Sequence, residues 1–282
     1  MVEELRSGFA ALVGRPNVGK STLLNAILGT KVSIVSDKPQ TTRTRVVGVL
    51  NEPSSQVVFL DTPGVHKPRG PLGQHLNDTA SGAAGGVDVV LLVVDGAAGV
   101  GRGDRFVAEH MPGPAMVVVN KTDLVGRRAV LDALARASEL GVPDAWPVSA
   151  RTGDGLPELV EAIRARMPPG PRYYPEDTVT DVAEAFWVAE LVREQLLAVT
   201  REELPHSIAC RVTEWEWPVI RCEILVERES QKGIVIGRGG AVLKEVGTAV
   251  REQLPAGAFL ELFVKVDKDW ARRPRRLELL GY

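Results

Sequence analysis

The stretch Gly14-Arg15-Pro16-Asn17-Val18-Gly19-Lys20-Ser21 lies between an apolar run and a segment with helical spacing. Residues 9–13, before it, are typical of a buried strand, and residues 22–28, after it, place apolar side chains at helical intervals. A strand, a glycine-containing loop and a helix in this order are the arrangement that a phosphate-binding loop requires. The glycines let backbone N–H groups point at an anion, and the helix N-terminus adds the positive end of its dipole.

Two side chains of this loop carry its chemistry. We expect Lys20 to reach the β- and γ-phosphates of a nucleotide and the Ser21 hydroxyl to ligate Mg²⁺. The alternative, a glycine turn with a solvated lysine, leaves the flanking strand and helix unexplained. The residues predicted to surround the nucleotide here are Gly14, Arg15, Pro16, Asn17, Val18, Gly19, Lys20, Ser21 and Thr22.

The next part of the chain supplies candidates for contacts to Mg²⁺ and the γ-phosphate. The polar residues 31–45 show no apolar period, and such loops beside a nucleotide are often ordered by Mg²⁺ and the γ-phosphate. Two strand-like runs joined by a turn then end at Asp61. A carboxylate at a strand end faces the crevice where α/β sheets bind ligands, so Asp61 is expected to hold Mg²⁺ through water. The Gly64 N–H is then placed to sense a γ-phosphate.

A second motif indicates which base is bound. Residues 115–120 form a strand-like run that is followed by Lys121, Thr122 and Asp123. The Asp123 carboxylate can accept hydrogen bonds from the ring N–H and the amine of guanine, a donor pair that adenine lacks. We expect the Lys121 stem to cover the base, Asn120 to tie the loops together, and the backbone of Ser149 and Ala150 to contact the base edge. The motif therefore favours GTP and GDP, and an ATPase is the weaker alternative.

Strands and helices alternate through residues 1–172. This alternation predicts an α/β domain with a mixed, mostly parallel sheet and helices on both faces. Proline-rich residues 167–175 then predict a helix stop and a stiff linker. We place the linker at 173–180 and a smaller second domain at 181–282.

The second domain is predicted to be α+β. Thr180 or Asp181 can cap a helix that runs to about Val199, and alternating strands over 207–214 and 219–227 follow it. Residues 237–240, Gly-Arg-Gly-Gly, then separate two helices, and a strand over 259–266 and a short terminal helix complete the order. Paired glycines let a nucleic-acid backbone approach main-chain N–H groups closely.

Composition and charge limit the class of protein. With 282 residues, of which 44% are hydrophobic and 25% charged, the chain is large enough for two globular domains. The net charge is only −2, but residues 228–282 carry 11 Lys/Arg against 7 Asp/Glu, beside residues 173–227 with 4 against 12. This asymmetry favours a surface that faces a polyanion, and an ordinary solvated face is the alternative on charge alone.

Cysteine usage and the apolar runs bear on location. Cys210 and Cys222, the two cysteines, lie in alternating runs, which favours reduced, buried thiols in a cytosolic protein. The sequence shows no N-terminal leader, and the longest apolar run, residues 87–94, is too short to cross a bilayer. We therefore expect a cytoplasmic location, and peripheral contact with the cytoplasmic face of the inner membrane stays open.

The ordered set of motifs in residues 1–172 resembles the translation-factor class of GTPases, and its Gly-Arg-Pro-Asn-Val-Gly-Lys-Ser form with Gln-Thr-Thr-Arg is similar to the TrmE/Era/EngA branch. The resemblance implies that Thr42, rather than Thr41, completes the Mg²⁺ site of Ser21 and Asp61. It further implies that Asn17 holds a K⁺ ion near the phosphates, where a cation can neutralise developing charge. The catalytic residues implied are Lys20, Thr42, Asp61, Gly64 and Asn17.

The resemblance also implies that Asp61–Gly64 form the second switch of the GTPase. One position departs from Ras-like enzymes, which carry a water-orienting glutamine after the glycine of that segment. Val65 stands there, and an apolar side chain can neither position nor polarise water. We therefore expect slow intrinsic hydrolysis that K⁺ stimulates more than Na⁺. We interpret the neighbouring His66 as a surface histidine and not as a base.

The order α-β-β-α-α-β with Gly-x-x-Gly between the adjacent helices resembles a type II KH domain. A P-loop GTPase domain followed by a KH domain is the layout of the Era family, and the resemblance covers essentially the whole chain. It implies binding of single-stranded 16S ribosomal RNA near its 3′ end, action in 30S subunit assembly, and an affinity set by the bound nucleotide.

We expect a monomer. The RNA-binding residues predicted are Lys232, Ile234, Ile236, Gly237, Arg238, Gly239, Gly240, Lys244, Arg272 and Arg273. The alternative is a GTPase regulator whose C-terminal domain docks a protein.

Overall fold

The computed structural model describes residues 4–65, 70–110, 115–142, 144–200 and 204–282, so His66 lies outside the described residues. These residues form two compact units. The larger unit extends to Asp181, and the smaller one comprises Val182–Tyr282 with two short segments from the amino-terminal half, one of which is Ser36–Thr41.

The larger unit contains a six-stranded sheet in the order β2-β3-β1-β4-β5-β6. All neighbouring strands in it are parallel except β2 and β3, which form an antiparallel hairpin. The strands are β1 (Arg6–Val13), β2 (Val46–Glu52), β3 (Ser55–Asp61), β4 (Val89–Asp95), β5 (Ala115–Asn120) and β6 (Ala145–Pro147), and the helices are α1 (Lys20–Leu28), α2 (Gly70–Ala84), α3 (Arg102–Glu109), α4 (Arg127–Ser138) and α5 (Leu156–Arg164). The predicted mixed, mostly parallel sheet is confirmed.

Helices cover both faces of this sheet, as predicted. Alternate residues of each central strand enter two separate apolar cores because side chains along a strand point to opposite faces. Val90 and Leu92 of β4 pack with Ala80 of α2 and Ala133 of α4, whereas the intervening Leu91 packs with helices α1 and α5. Both cores exclude water, so the carboxyl ends of β1, β3, β4 and β5 are held together at one edge of the sheet.

The segment predicted as a linker lies along the hairpin of the larger unit. The Val49 N–H donates to the Val179 carbonyl at 2.8 Å, and the Gln56 side-chain oxygen accepts the N–H of Tyr173 at 2.7 Å. Asn51 Nδ2 also donates to the Thr178 carbonyl at 2.8 Å. The first of these bonds satisfies a backbone N–H on the outer edge of β2, which would otherwise be unpaired, and the other two hold the segment through side chains of the hairpin.

The smaller unit has a three-stranded sheet in the order β7-β8-β9, with β7 and β8 antiparallel and β8 and β9 parallel. Its elements are α6 (Glu184–Val199), β7 (Ala209–Glu216), β8 (Val219–Val226), α7 (Glu229–Ile236), α8 (Ala241–Arg251), β9 (Phe259–Val266) and α9 (Pro274–Leu279). The predicted α+β order is therefore confirmed. Cys210 and Cys222 are buried free thiols that lie within hydrogen-bond reach of each other.

The predicted cap of α6 is wrong, because the helix begins after Ala183. Both predicted capping side chains are engaged elsewhere: the Thr180 hydroxyl donates to the Val47 carbonyl at 2.7 Å, and Asp181 accepts the Tyr174 hydroxyl at 2.9 Å. One of these bonds reaches β2 and the other stays within the segment before α6, so neither side chain is available as a cap. The first turn of α6 starts three residues later than a cap at Thr180 would place it.

Candidate functional site

The phosphate-binding loop connects β1 to α1 at the carboxyl edge of the larger sheet. Gly19, the N-cap of α1, has φ 95°, and a Cβ at this position would lie 2.4 Å from Asn120 Nδ2. A side chain there would be strained and would clash, so only glycine fits. The next residue, Lys20, is almost fully buried, and its Nζ donates to the carbonyls of Gly14 at 3.2 Å and Arg15 at 3.1 Å.

Burial changes the proton affinity of Lys20. Desolvation lowers the pKa of its ammonium from 10.5 to about 8, and the attraction of Asp61 only partly opposes this change. A buried ammonium beside the backbone N–H groups of this loop favours the binding of a strongly anionic ligand. Phosphate oxygens would replace the hydration that the ammonium loses on burial.

Three hydroxyl groups converge on one carboxylate oxygen beside Lys20. Asp61 Oδ2 accepts hydrogen bonds from Ser21 Oγ at 2.7 Å, Ser33 Oγ at 2.8 Å and Thr42 Oγ1 at 3.3 Å. The hydroxyls of Ser21 and Thr42 are 2.9 Å apart. By contrast, the Thr41 hydroxyl donates to the Lys38 carbonyl at 2.7 Å, which is a local contact. The structure thus brings the three residues predicted to hold Mg²⁺ together and favours Thr42 over Thr41.

This cluster fits a magnesium ion. Asp61 is fully buried, and its second oxygen, Oδ1, accepts no hydrogen bond from a described residue. Burial raises the pKa of the Asp61 carboxyl, with Lys20 and the three hydroxyls acting in the opposite direction. A buried carboxylate oxygen without a donor and two nearby hydroxyls form the hard oxygen set that Mg²⁺ prefers. The ion would supply the positive charge that the buried carboxylate lacks and would neutralise charge on the phosphates.

The segment after Asp61 touches the phosphate-binding loop directly. A Cβ built on Gly64 would lie 2.6 Å from the Pro16 nitrogen, so only glycine permits this approach. The next residue, Val65, is buried, and its N–H donates to the Gly14 carbonyl at 3.1 Å. The predicted sensor of the γ-phosphate therefore lies against the loop that would bind that phosphate.

The base-recognition motif is joined to the same loop by two side chains. Asn120 Nδ2 donates to the Val18 carbonyl at 3.0 Å, and its Oδ1 accepts the Ala150 N–H at 3.0 Å. Lys121 Nζ donates to the Asn17 carbonyl at 2.6 Å and to Asp95 Oδ2 at 2.7 Å. Three loops that are distant in sequence are thus tied into one rim, as the sequence predicts for Asn120.

Asp123 lies at the end of this rim. Its Oδ1 accepts the Ser149 hydroxyl at 2.7 Å, and its Oδ2 forms an ion pair with Arg151 Nη2 at 2.6 Å. The Ser149 hydrogen bond, together with Arg151, lowers the pKa of the Asp123 carboxyl. The group is therefore ionised at neutral pH, the state that accepts the two N–H donors of guanine.

A separate surface in the smaller unit contains the Gly-Arg-Gly-Gly turn between α7 and α8. Gly237, Gly239 and Gly240 all have φ between 60° and 80°, a region that other residues rarely adopt. Arg238 and Lys244 are exposed, and Ile234 on α7 exposes 59% of its surface. Neither these two cations nor Lys232 has a carboxylate within 4.0 Å in the described part of the chain.

Several other cations of the smaller unit are neutralised by acidic side chains, although Arg228, Arg251, Lys268 and Arg275 also have no carboxylate within 4.0 Å among the described residues. Arg211 pairs with Glu223 at 2.7 Å, and Arg221 pairs with Glu261 at 2.6 Å. The buried Asp267 pairs with both Arg273 and Arg276, which leaves Arg273 less available than its place in a basic run suggests. Arg272 is exposed, 3.9 Å from Asp269. The positive charges of Arg238 and Lys244 at the glycine turn are thus unpaired, whereas those of Arg211 and Arg221 on the strands are paired.

Comparison with known proteins assigns a family to the amino-terminal and to the carboxy-terminal part of the chain. A model of the 50S ribosome-binding GTPases matches residues 9–121, and a model of the KH domain matches residues 203–271. A GTPase Era from Heliobacterium modesticaldum is 46% identical to the chain over 297 aligned positions that cover 100% of this chain and 98% of the relative. The chain belongs to the Era family of GTPases. A second relative, GTPase Era from Geobacter metallireducens, is 44% identical over 98% of both chains.

Solved Era structures have the same fold. A crystal structure of an Aquifex aeolicus Era variant bound to GDP·AlF₄⁻ superposes with a TM-score of 0.95 at 39% identity and covers 99% of both chains. A second structure, Era with MgGDPNP and nucleotides 1506–1542 of 16S ribosomal RNA, has a TM-score of 0.95 at 40% identity, again over 99% of both chains. As a member of the Era family, the chain is a GTPase that binds GTP and GDP.

Several residues of the site in this Era-family chain were not predicted from the sequence. Ser33 completes the hydroxyl cluster on Asp61, Asp95 holds Lys121, and Arg151 pairs with Asp123. Asp95 ends β4 at the same sheet edge as Asp61, which is a signal that sequence analysis could have used. Ser33 and Arg151 lie in loops without a distinguishing pattern.

In the described ranges, no helix has the length and apolar character needed to cross a membrane. The same part of the chain contains no group of three or more His, Cys, Asp or Glu side chains arranged to hold a metal ion. The magnesium site proposed above differs from such a group, since two of its three protein ligands are hydroxyls.

Proposed function

We propose that this Era-family GTPase is a nucleotide-controlled switch that binds single-stranded 16S ribosomal RNA near its 3′ end during assembly of the 30S subunit. The observation that carries the proposal is the Gly-Arg-Gly-Gly turn, whose neighbouring cations have no acidic partner among the described residues. RNA phosphates would neutralise Arg238 and Lys244, and the exposed Ile234 would support an unstacked base. The 40% identical Era bound to a 16S fragment supports this choice of RNA.

The bound nucleotide would act through the two segments that meet at Asp61. Thr42 joins the hydroxyl cluster of the larger unit, while the residues directly before it, Ser36–Thr41, group with the smaller unit. Mg²⁺ and a γ-phosphate at Thr42 would restrain this polar segment, and we propose that its ordering changes the RNA affinity of the second domain. Residues 61–77, of which 66–69 lie outside the described residues, would respond through Gly64. The domain division itself, with a linker at 173–180, is part of this proposal.

Replacing Arg238 and Gly239 together by aspartate is expected to weaken RNA binding at least about 10-fold, because two negative charges would face the phosphates. The GTP hydrolysis rate should stay unchanged. The measurement is a binding titration with an RNA equivalent to nucleotides 1506–1542 of 16S ribosomal RNA, at fixed salt. Arg211→Gln is the control, since Glu223 already neutralises that arginine.

Two results would contradict the proposal. Unchanged RNA retention in the double aspartate variant would favour the alternative in which the second domain docks a protein. The exposed Phe259 and Phe263 on β9 would then be the contact surface to test next. RNA affinity that is the same with GDP and with a non-hydrolysable GTP analogue would exclude the coupling while leaving RNA binding intact.

Potassium is the second cation in the proposal. Asn17 is exposed in the phosphate-binding loop with φ 64°, and its carbonyl accepts Lys121. Since buried Val65 cannot orient water, a K⁺ ion held by Asn17 would stabilise charge in the transition state. We expect hydrolysis to be on the order of 10-fold faster in KCl than in NaCl, and the difference to vanish in Asn17→Ala. Equal rates of the native chain in the two salts would remove Asn17 from the mechanism.

A monomeric state, a cytoplasmic location and peripheral contact with the inner membrane remain predictions from the sequence. Of these three, only the location bears on the proposal, because a protein that binds a 30S precursor must be present where ribosomes are assembled.

A further inference from the structure

One ion pair joins the phosphate-binding loop to a helix that carries none of the recognised motifs. Arg15 Nε donates to Asp104 Oδ1 at 2.8 Å, and the two residues are 89 positions apart. Asp104 is completely buried, while a third of the Arg15 side chain is exposed. The Arg15 side chain therefore points toward α3, where it satisfies a buried carboxylate that would otherwise be costly.

Asp104 holds two elements at once. Its second oxygen, Oδ2, accepts the Gly101 N–H at 2.8 Å and so caps the first turn of α3. The Arg15 stem also packs across Gly103, where a Cβ would lie 2.5 Å from Arg15 Cδ. The Arg15–Asp104 ion pair is therefore held at one end by the cap of α3 and at the other by the contact with Gly103. A shift of the Arg15 side chain would also displace the start of α3.

The backbone that Arg15 anchors is the part of the loop that the catalytic groups touch. The Arg15 carbonyl accepts Lys20 Nζ at 3.1 Å, and the following Pro16 is the contact of Gly64. The preceding Gly14 carbonyl accepts the Val65 N–H at 3.1 Å. This side of the loop faces the second switch, whereas the helix N-terminus at the other end of the loop offers its N–H groups to the remaining phosphates.

The geometry points to Asp104 as a positioning residue for GTP hydrolysis. Through Arg15 it fixes the loop carbonyls on which Lys20 and the second switch rest, and so aligns the groups that meet the γ-phosphate. This role rests on the GTPase activity and is independent of the proposed RNA partner. A small displacement of groups that meet a transition state lowers the rate steeply, so the pair affects GTP turnover more than GDP binding.

The test uses Arg15→Gln, Asp104→Asn and the double variant in the full chain. Asparagine keeps an oxygen that can accept the Gly101 N–H, and Arg15→Gln leaves the helix cap intact. We expect kcat for GTP to fall about 10-fold in each single variant, with GDP affinity changed less than about 2-fold. Because both substitutions break the same contact, the double variant should lose no more than either single one. Arg15→Lys should recover part of the rate, since an ammonium can still pair with the carboxylate.

The matched control lies on the same helix. Arg105 pairs with Glu139 at 3.0 Å, but both side chains are more than half exposed, so Arg105→Gln should leave kcat and KM unchanged. Three outcomes would overturn the inference: native kcat in Arg15→Gln, losses that multiply in the double variant, or GDP affinity that falls as much as the rate. A lower melting temperature with native kinetics would equally show that the pair only stabilises the fold.

Discussion

Replacing Asp123 by asparagine is expected to change the preferred base from guanine to xanthine. Guanine offers two N–H donors to the Asp123 carboxylate, and charge-assisted hydrogen bonds contribute about 1.5–3 kcal/mol each. Asparagine keeps an oxygen that can accept the ring N–H, but its NH₂ group would face the guanine amine, so one of the two bonds is lost and two donors oppose each other. GDP binding should therefore weaken roughly 10- to 100-fold. Xanthine carries a carbonyl in place of the amine, so it needs one donor and one acceptor from the protein.

The structure indicates how the new amide would be oriented. Ser149 donates to Asp123 Oδ1 at 2.7 Å, so the asparagine oxygen should occupy that place and its NH₂ group should replace Oδ2. The NH₂ group would then face the xanthine carbonyl, while the oxygen can still accept the ring N–H. The exposed Arg151 can move away from this position, because surface ion pairs contribute little.

Calorimetric titration of the variant with GDP and with xanthosine diphosphate measures this exchange. Asp154→Asn is the matched control: Asp154 lies on the neighbouring loop and accepts the Thr152 hydroxyl at 2.7 Å. It should bind GDP as the native chain does. If Asp123→Asn also bound GDP with native affinity, Asp123 would not be the residue that recognises guanine.

Raising the pH from 8 to 10 is expected to weaken GTP binding by about 50-fold. The pKa of Lys20 in the empty site is about 8 because the side chain is buried. Above this pH the empty protein carries a neutral amine, and the phosphates would restore the ammonium by raising its pKa. Binding must then take up a proton, so the affinity for GTP falls about 5-fold between pH 8 and 9 and about 10-fold between pH 9 and 10.

The stability of the nucleotide-free protein should change in the opposite direction. Lys20 has a pKa of about 8 when folded and 10.5 as an ordinary lysine, so the unfolded chain binds more protons between these values. Stability from this group therefore rises as the pH increases from about 8 toward 10.5, and it is lost at lower pH. The melting temperature without GTP should therefore rise over this interval, while the extra stabilisation that GTP adds should shrink, so the two melting temperatures should approach each other.

Lys20→Met separates this residue from others that titrate at high pH. The variant should bind GTP weakly and should show no pH dependence above 8, because the ionisable group is gone. Equilibrium titrations at constant salt and Mg²⁺ provide the comparison. A native chain whose GTP affinity is the same at pH 8 and pH 10 would show that the ammonium stays protonated in the empty site.

The sequence predicted the architecture well wherever a motif and its secondary structure coincide. The run before Gly14 forms β1, the segment after Gly19 forms α1, and the run before Lys121 forms β5. These elements follow from apolar periodicity and glycine positions, which act over a few residues. The hairpin and the order of the second domain were predicted for the same reason.

The local sequence pattern did not predict the partners of side chains that can form hydrogen bonds or ion pairs with several groups. Thr180 and Asp181 have the chemistry of helix caps, yet they bond to Val47 and Tyr174, and α6 starts later. Arg273 lies in a basic run, yet the buried Asp267 holds it together with Arg276. Only the Val47 partner of Thr180 is distant in sequence. Tyr174 and Asp267 lie seven and six residues from Asp181 and Arg273, at spacings that no helix cap or basic run indicates.

By itself, the sequence determined the motif residues, the base they favour and the order of strands and helices, because each depends on residues that are adjacent or regularly spaced. Only the tertiary structure decided that Ser33 joins Ser21 and Thr42 on Asp61, and that Asp104 holds Arg15 across 89 positions. A buried carboxylate must find donors, but sequence spacing does not say which ones. The parallel sheet brings the loops at its carboxyl edge together, and their side chains become partners there.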